Sequence, residues 1–339
     1  MTPTATVPAP TATNTAMVEP TETETPTVEP TATETPTLPP TPTSTTTPTP
    51  TPTVTVVPSP GPIHVFVVTG QSNSGQNGNG LELPPSMSRV SNAWYAAKKR
   101  TRAYELRVME PIPNRNAKFG ITRTAYGVDL PIAYYLRQSC PAMSMVFIRL
   151  YSGGTSIVAW DPHPNTPQWR AAMKAVGNGG KRAMYPVVLD AVRKTISAIQ
   201  ADPALAGSPI EVSGVFYVQT ERDSKMRFGA EQYEARMRSL LWAFRTEWYR
   251  PSLPFLFMDS HTNLTGYASV VRQAAVNVAE LPPDGFYDFL GAIAEPNTAL
   301  VASRDLSKYP DRVHFNGAGL NELGRRFAQQ WLVINGGCE

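Results

Sequence analysis

The feature that most limits how this chain can fold is the alternation of short apolar runs with segments of helical periodicity. The runs have the length and near-continuous apolar character of strands covered on both faces of a sheet, and they are Ile63–Thr69, Met145–Leu150, Ile210–Val218, Phe255–Met258 and Ala299–Ala302. Apolar stripes at three- to four-residue spacing predict helices, over Val128–Gln138, Pro186–Gln200, Ala230–Tyr249, Tyr267–Leu281 and Leu320–Ile334. Because strands that alternate with helices form right-handed crossovers, we predict an α/β fold, a three-layer α/β/α sandwich around a mainly parallel five-stranded sheet.

The first 60 residues differ from the rest in composition. They contain 23 Thr and 15 of the 34 Pro, and no aromatic residue, Gly, Lys, Arg or Cys. Such a segment has too little apolar surface to offset the entropy lost on folding, and its prolines favour an extended backbone. We therefore predict a disordered Thr/Pro-rich linker over residues 1–60 and a globular domain over residues 61–339. The linker resembles the spacers between modules of secreted bacterial polysaccharide-degrading enzymes, so we expect secretion and another module joined through it.

Two observations bear on secretion. The sequence opens with Met1-Thr2-Pro3 and lacks the basic and apolar regions of a signal peptide, so we expect that Met1 is not the natural start. Cys140 and Cys338 are the only cysteines, and an even count in an exported protein permits one disulfide. Whether these two residues approach each other is left open by the sequence.

The charge of the globular part narrows the class of partner. Residues 61–339 carry all 30 Lys and Arg against 22 Asp and Glu, a net charge of +8. The densest basic run is Lys98, Lys99, Arg100 and Arg102, without the interleaved aromatic residues of a nucleic-acid surface. One interpretation of this run is a solvated basic face, and the other is a preference for an acidic polymer. Since no stretch reaches the roughly 18 consecutive apolar residues of a membrane span, neither nucleic acid nor membrane is expected as a partner.

Polar residues directly follow three of the predicted strands. Ligands of open parallel sheets bind beyond the carboxyl ends of the strands, so chemistry is expected at these positions. Ser72 follows the first run, and Gly153-Gly154 follows the second. Paired glycines let the backbone approach a bound group closely. The residues after the third run are Gln219, Glu221 and Asp223.

The candidate general base is His314. Of the other three histidines, His64 lies within the first strand, His163 lies in a proline-rich loop, and His261 has no acid at a helpful spacing. Asp311 precedes His314 by three residues, a spacing at which the carboxylate can hold the imidazole Nδ1–H and leave Nε2 to act on a hydroxyl. A serine at the same edge of the sheet then predicts nucleophilic catalysis.

Several other enzyme classes lack their signatures. Position 74 is Ser, so the chain has no Gly-x-Ser-x-Gly nucleophile elbow of an α/β-hydrolase. It has no Gly-x-Gly-x-x-Gly motif and no P-loop. The Cys and His residues are not spaced as zinc ligands, so no metal site is expected.

Four blocks of the sequence, taken together, resemble a known superfamily. They are Gly70-Gln71-Ser72-Asn73, Gly153-Gly154-Thr155 with Trp160, Gln219-x-Glu221-x-Asp223 and Asp311-x-x-His314. In this order they resemble the SGNH (GDSL-like) hydrolases, and most of all the sialate O-acetylesterase and acetylxylan esterase group, carbohydrate esterase family six. The resemblance extends over residues 62–335. It implies a flavodoxin-like SGNH fold, the removal of acetyl groups from sugar hydroxyls, an acetylated carbohydrate as substrate, and no metal or organic cofactor.

The resemblance also implies the catalytic residues. Ser72 matches the nucleophile, and His314 with Asp311 matches the base and the acid that orients it. Glu221 matches a glutamate that supports or replaces Asp311, so the choice of acid stays open.

The implied oxyanion donors are the backbone N–H groups of Ser72 and Gly154 and the side-chain amide of Gln219. The sequence departs from the group at two positions: Thr220 stands where Gly is common, and Ser74 stands where Met is common. Both departures affect the expected shape of the substrate pocket more than the expected catalytic residues.

Two alternatives to a sugar acetylesterase remain at this point. The same catalytic residues suit acetyl esters that are not on sugars, and a catalytically inactive carbohydrate-binding module is a different class of protein. Trp160 is a candidate for stacking against a sugar because it lies in the Gly-Gly block, although a tryptophan there also suits the core.

Overall fold

The computed structural model describes residues 61–99, 103–113, 121, 123–177, 182–259, 266–279 and 295–338. The predicted linker, residues 1–60, lies outside the described residues, and so do Arg100, Arg102 and His261. All four motif blocks lie within the described ranges.

The centre of the domain is a seven-stranded sheet. With strands numbered along the chain, it contains β1 (Ile63–Gly70), β3 (Val90–Lys98), β4 (Tyr104–Met109), β7 (Ser144–Tyr151), β8 (Ile210–Val218), β9 (Phe255–Met258) and β10 (Thr298–Val301). The order across the sheet is β10-β9-β8-β1-β7-β3-β4, and all neighbours are parallel except β3 and β4. A small antiparallel sheet is formed by β2 (Gly78–Asn79), β5 (Ile112–Pro113) and β6 (Thr124–Tyr126).

The five predicted strands are all present, as β1, β7, β8, β9 and β10, and the α/β class is confirmed. The predicted number of strands is wrong, because the hairpin of β3 and β4 extends one edge of the sheet. Most residues of these two strands are partly or fully exposed. An edge hairpin of this kind has no continuous apolar run, so its sequence does not look like a buried strand.

Helices cover both faces of the sheet and form the predicted three layers. The described helices are α1 (Asp129–Ser139), α2 (Pro167–Ala175), α3 (Tyr185–Ala201), α4 (Arg227–Glu231), α5 (Tyr233–Glu247), α6 (Ala268–Ala279) and α7 (Gly317–Ile334). α1 and α7 pack on one face and the other five on the opposite face. Alternate residues of β1 contact the two layers, since Val65 and Val67 face one core and Phe66 and Val68 the other. Among the described residues, no helix has the length and apolar character needed to cross a membrane.

A disulfide joins Cys140, at the end of α1, to Cys338, beyond the end of α7. Their Cα atoms are 5.4 Å apart, and 198 positions separate them in the sequence. The bond lies next to the start of β7, at the edge of the sheet opposite to the carboxyl ends of its strands. It therefore holds the C-terminal segment to the domain without contacting the residues that follow the strands.

We expect the double substitution Cys140→Ala and Cys338→Ala to lower the free energy of unfolding by about 2–4 kcal/mol, because a cross-link that closes a long loop restricts the unfolded chain. Equilibrium unfolding in denaturant measures the change, with ester hydrolysis by the folded variant as the control. Equal stability of the two proteins would contradict the prediction.

Candidate active site

The turn after β1 carries Ser72. At Gly70 the backbone has φ +132°, and a Cβ there would collide with the carbonyl of Val218 on the neighbouring strand, so only glycine suits this close approach. A short 3-10 turn, Ser72–Ser74, follows, in which the N–H of Gly75 donates to the Ser72 carbonyl at 2.9 Å. Ser72 is partly exposed, whereas the next two residues are buried. The hydroxyl of Ser72 therefore lies at the rim of the sheet.

Ser72, His314 and Asp311 form a continuous hydrogen-bonded chain. The Ser72 Oγ atom lies 2.8 Å from His314 Nε2, and His314 Nδ1 lies 2.6 Å from Asp311 Oδ2. The other carboxylate oxygen of Asp311 accepts from the backbone N–H groups of Val313 and His314, each at 3.0 Å. These contacts orient the acid, the acid orients the imidazole, and the imidazole contacts the hydroxyl, which is the arrangement that activates a serine.

The Asp311 carboxyl is held in its ionised form. Partial burial acts to raise the pKa of Asp311, but the hydrogen bonds from the His314 backbone, the His314 ring and the Val313 backbone outweigh it, and the pKa lies below its ordinary value. An ionised carboxylate stabilises the imidazolium that forms when His314 takes a proton.

Asn73 joins the serine turn to the histidine loop. Its side-chain oxygen accepts from the backbone N–H of Phe315 at 3.1 Å, and its amide nitrogen donates to the carbonyl of Val313 at 3.0 Å. Those two residues flank His314, so one buried side chain sets the position of the base relative to Ser72. No function was predicted for Asn73, although its place directly after Ser72 in the first block was a signal.

Glu221 contacts the serine turn, whereas Asp311 contacts the imidazole. The buried Glu221 carboxylate accepts from the side-chain amides of Gln71 and Asn73, and it accepts from the Thr220 backbone N–H at 3.1 Å. The two acids therefore have different contacts. Asp311 contacts His314 Nδ1, whereas Glu221 binds the residues on either side of Ser72.

The Gly-Gly segment faces Ser72 across a small pocket. A Cβ on Gly153 would lie 3.9 Å from the Ser72 Cβ, and Gly154 has φ +66°, a conformation that favours glycine. The pocket has a volume of about 350 Å³ and is lined by Gln71, Ser72, Gly153, Gly154, Glu221, Arg222, Lys225, Val313 and His314. An acyl group of acetyl size can therefore reach the serine between two backbone segments.

Asp223 supports the Gly-Gly segment from below. Its buried carboxylate accepts from the Ile157 backbone N–H at 2.9 Å, and also from the Ser156 hydroxyl and the Gln219 amide. Burial raises the pKa of Asp223 to about 6, although the hydrogen bonds from Ser156, Gln219 and Ile157 lower it. Asp223 belongs to the third motif block, but no function was predicted for it from the sequence.

This raised pKa predicts a pH-dependent stability. Between the ordinary value of 3.8 and about 6, the Asp223 carboxyl binds a proton in the folded but not in the unfolded chain, so its contribution to stability falls as pH rises through this window. We expect the free energy of unfolding of the wild type, relative to that of Asp223→Asn, to fall by about 2–3 kcal/mol from pH 4 to pH 7, because asparagine does not titrate. Denaturant unfolding at both pH values measures it, and a constant difference would contradict it.

Comparison with known proteins decides the family. Residues 62–333 match the family model described as a carbohydrate esterase, sialic acid-specific acetylesterase. This chain belongs to that family. The resemblance seen in the four blocks is thereby confirmed, and the chain is a carbohydrate esterase.

Two solved structures share the fold of this esterase, and a third shows a weaker likeness. A protein from Arabidopsis thaliana is 18% identical, with 80% of this chain and 98% of that chain covered and a TM-score of 0.56. NanS is 16% identical, with 81% of this chain and 98% of the NanS chain covered and a TM-score of 0.50. A carbohydrate acetylesterase from Xanthomonas citri is 17% identical, with 80% of this chain and 56% of that chain covered and a TM-score of 0.48. A search of curated proteins found no significantly similar sequence.

The structure of the esterase does not place Gln219 as predicted. Its amide nitrogen donates to the Thr155 carbonyl at 3.1 Å and to the Asp223 carboxylate, and the side chain is fully buried. These hydrogen bonds tie Gln219 to the segment that follows Gly154, and Gln219 is not among the residues that line the pocket. The structure thus contradicts a third oxyanion donor at Gln219, and leaves the predicted backbone donors at Ser72 and Gly154.

Trp160 is likewise in a different place from the one predicted. Its side chain is 0% exposed, its indole N–H donates to the Thr155 hydroxyl at 3.3 Å, and its ring meets Tyr217 edge to face. A side chain enclosed in this way cannot stack on a sugar, so the predicted substrate contact is wrong. Trp160 packs the core behind the Gly-Gly segment.

We expect Trp160→Phe to lower the free energy of unfolding by roughly 1–3 kcal/mol, because it removes buried contacts and one hydrogen bond. The KM for a sugar acetate should stay within about twofold, a change of less than 0.5 kcal/mol in binding. Thermal unfolding together with steady-state kinetics measures both. A large rise in KM at unchanged stability would restore the sugar-contact prediction.

Proposed function

We propose that this carbohydrate esterase hydrolyses acetyl esters on sugar hydroxyls through an acetyl-serine intermediate, with Ser72 as nucleophile, His314 as base and Asp311 as its acid partner. The observation that carries the proposal is the hydrogen-bonded chain from Ser72 Oγ through His314 to Asp311, at 2.8 Å and 2.6 Å. It opens into the small pocket that the Gly-Gly segment lines.

In the first half of the reaction, Ser72 Oγ attacks the acetyl carbonyl carbon while its proton moves to His314 Nε2. The backbone N–H groups of Ser72 and Gly154 donate to the resulting oxyanion, and each such donor contributes about 2.7–4 kcal/mol in comparable enzymes. The bond from the acetyl carbon to the sugar oxygen then breaks, and Nε2 returns the proton to that oxygen. Water repeats these steps on the acetyl-serine and releases acetate.

The charges of the pocket favour an acidic sugar as the acetylated unit. Arg222, Lys225 and Glu221 line the pocket beside Ser72. The Glu221 carboxylate is buried and accepts from Gln71 and Asn73, whereas the Arg222 guanidinium is held by hydrogen bonds to the Val176 carbonyl at 3.1 Å and 2.8 Å. Cations at this rim suit the carboxylate of O-acetylated sialic acid better than the neutral units of acetylated xylan. The description of the matching family supports the same choice.

Acetate release by the full chain tests both levels of this proposal. The substrates are 4-nitrophenyl acetate, O-acetylated sialic acid and acetylated xylan. Release from the sialic acid at a higher kcat/KM than from xylan is the expected result. Faster release from xylan would overturn the acidic substrate and keep the esterase, whereas no release from any sugar would overturn the sugar acetylesterase.

We also propose that the esterase works outside the cell and that residues 1–60 join it to a second module. The disulfide supports an oxidising compartment, since such bonds persist there and are reduced in the cytosol. Fractionation of the source cells tests this: the protein should be found in the medium, without free thiols. Recovery of the reduced protein from the cytosol would contradict it.

A further inference from the structure

A second groove lies beside the catalytic pocket. It has a volume of about 410 Å³, within the range of about 300–1,000 Å³ of small-molecule sites. Its lining residues are Gln76, Tyr95, Ala96, Ala97, Lys98, Arg107, Ile112, Pro113, Arg149 and Tyr151. Neither the catalytic chain nor the matching family description assigns this groove a function.

The strand register brings the polar residues of the groove together on one face of the sheet. Tyr95 on β3 pairs with Arg107 on β4 on one side and with Phe147 on β7 on the other. Because alternate residues of a strand share a face, Arg149 and Tyr151 follow Phe147 on that face. Two tyrosines and two arginines thus meet where the edge hairpin joins the parallel sheet.

The groove is positively charged. Arg149 forms an ion pair with the buried Asp129, which fixes its guanidinium. Arg107 is paired with Glu105, which Lys99 also contacts at 2.9 Å, so one carboxylate serves two cations there.

No Asp or Glu is among the lining residues of the groove, whereas Lys98, Arg107 and Arg149 are. Lys98, the first residue of the densest basic run in the sequence, is therefore one of the cations of the groove.

The groove adjoins the catalytic pocket. Both are lined by the turn after β1, with Ser72 in the pocket and Gln76 in the groove, and both by the segment after β7, with Gly153 in the pocket and Tyr151 in the groove. A Cβ on Gly75 would lie 2.7 Å from the Tyr151 ring and 2.9 Å from the Ser72 carbonyl. The Tyr151 ring therefore packs against the turn that carries Ser72, and pocket and groove share that turn.

We propose that this groove is a second sugar subsite, which binds a carboxylate-bearing unit next to the acetylated unit of an acidic glycan. The tyrosine rings offer faces against which a pyranose packs. Lys98, Arg107 and Arg149 add positive charge to the lining, which attracts a carboxylate. The inference rests on the proposed function, since it gives the acetylated sugar a neighbour in the same chain.

Direct binding of unacetylated oligomers tests the subsite without use of the catalytic reaction. The full chain is titrated calorimetrically with trigalacturonate, α2,8-linked trisialic acid and xylotriose. We expect at least one acidic trimer to bind at least tenfold more tightly than xylotriose, with an affinity that falls as salt is raised. The two acidic trimers differ in the sugar that carries the carboxylate, so their ranking identifies the source.

The double variant Lys98→Gln and Arg107→Gln should raise the Kd for the preferred acidic trimer at least tenfold and leave that for xylotriose unchanged. A matched control is Arg170→Gln and Lys174→Gln, which removes the same charge from exposed positions on α2 and should leave all three affinities unchanged. Thermal unfolding checks that both variants fold.

Equal binding of the neutral and acidic trimers, or equal losses in the two variants, would overturn the subsite. Failure of this inference is distinguishable from failure of the proposed function. An enzyme that releases acetate but prefers xylotriose lacks the acidic subsite, whereas one that binds the acidic trimer without releasing acetate lacks the catalytic function.

Discussion

The Ser72→Ala variant is expected to lose about 10⁴–10⁶-fold in kcat for acetyl-ester hydrolysis, because it removes the oxygen that His314 Nε2 activates as the nucleophile in the proposed mechanism. The fold should be unaffected, since Ser72 is partly exposed and begins its turn through backbone contacts. Acetate release from a sugar acetate and from 4-nitrophenyl acetate measures the loss.

Ser74→Ala is the matched control for this experiment. It makes the same substitution two residues away, where the hydroxyl is buried and donates to the Val218 carbonyl at 3.2 Å. Its removal should cost about 1 kcal/mol of stability and leave the order of magnitude of kcat unchanged. Comparable activity of Ser72→Ala and the wild type would refute the assignment of the nucleophile.

The second large effect is expected for Asp311→Asn, a fall of about 10³–10⁴-fold in kcat with little change in stability. The oxygen of an asparagine would accept from the backbone N–H groups of Val313 and His314, and its N–H₂ group would then donate to Nδ1. The imidazole would take the wrong tautomer, and no carboxylate would stabilise the imidazolium. The Asp311 side chain is 38% exposed, and for this reason the substitution should not disturb the core. Steady-state kinetics and denaturant unfolding measure the two quantities.

Glu221→Gln provides the comparison that separates the two acids. Gln71 and Asn73 both donate to the Glu221 carboxylate, so a glutamine would turn its own N–H₂ toward one of those donors. We expect a loss of roughly 1–3 kcal/mol in stability and a smaller loss of kcat than for Asp311→Asn. The reverse ranking of the two kcat values would make Glu221 the principal acid.

The position of Asn73 shows how the architecture connects distant parts of the chain. One buried amide contacts the backbone on both sides of His314. The partner of its oxygen, Phe315, is 242 positions away from Asn73 in the sequence. It also reaches Glu221 after β8. The serine, the base and both acids are thus set by one small polar cluster, and a rearrangement of any member would move the others.

Much of this was available from the sequence because it follows from local patterns. Buried parallel strands need continuous apolar runs, and crossover helices need apolar stripes, so the five parallel strands and the α/β class were predictable. The rule that ligands bind beyond the carboxyl ends of strands then directed attention to Ser72. The pairing of Asp311 with His314 is also local, because residues three positions apart can lie in one turn of the chain.

Other features depended on the direction of side chains and on contacts between distant segments. Whether Gln219 faces the serine or the Gly-Gly segment depends on Asp223 and Thr155, and no spacing expresses that choice. Trp160 lies in a motif block, yet tertiary packing encloses it completely. The strands of the edge hairpin are mostly exposed, so they have no continuous apolar run that would predict them. They nevertheless line the groove beside the active site.

The fold class and the order of the motif blocks could be predicted from the sequence, because both follow from short-range periodicity and spacing, and the blocks together carried the resemblance to the family. The folded domain was needed to show that Asp311 contacts the imidazole, that Gln219 and Asp223 support the Gly-Gly segment, and that Lys98 lines a groove. These outcomes depend on the packing of strand ends that are far apart in the chain, and such packing is a property of the assembled sheet.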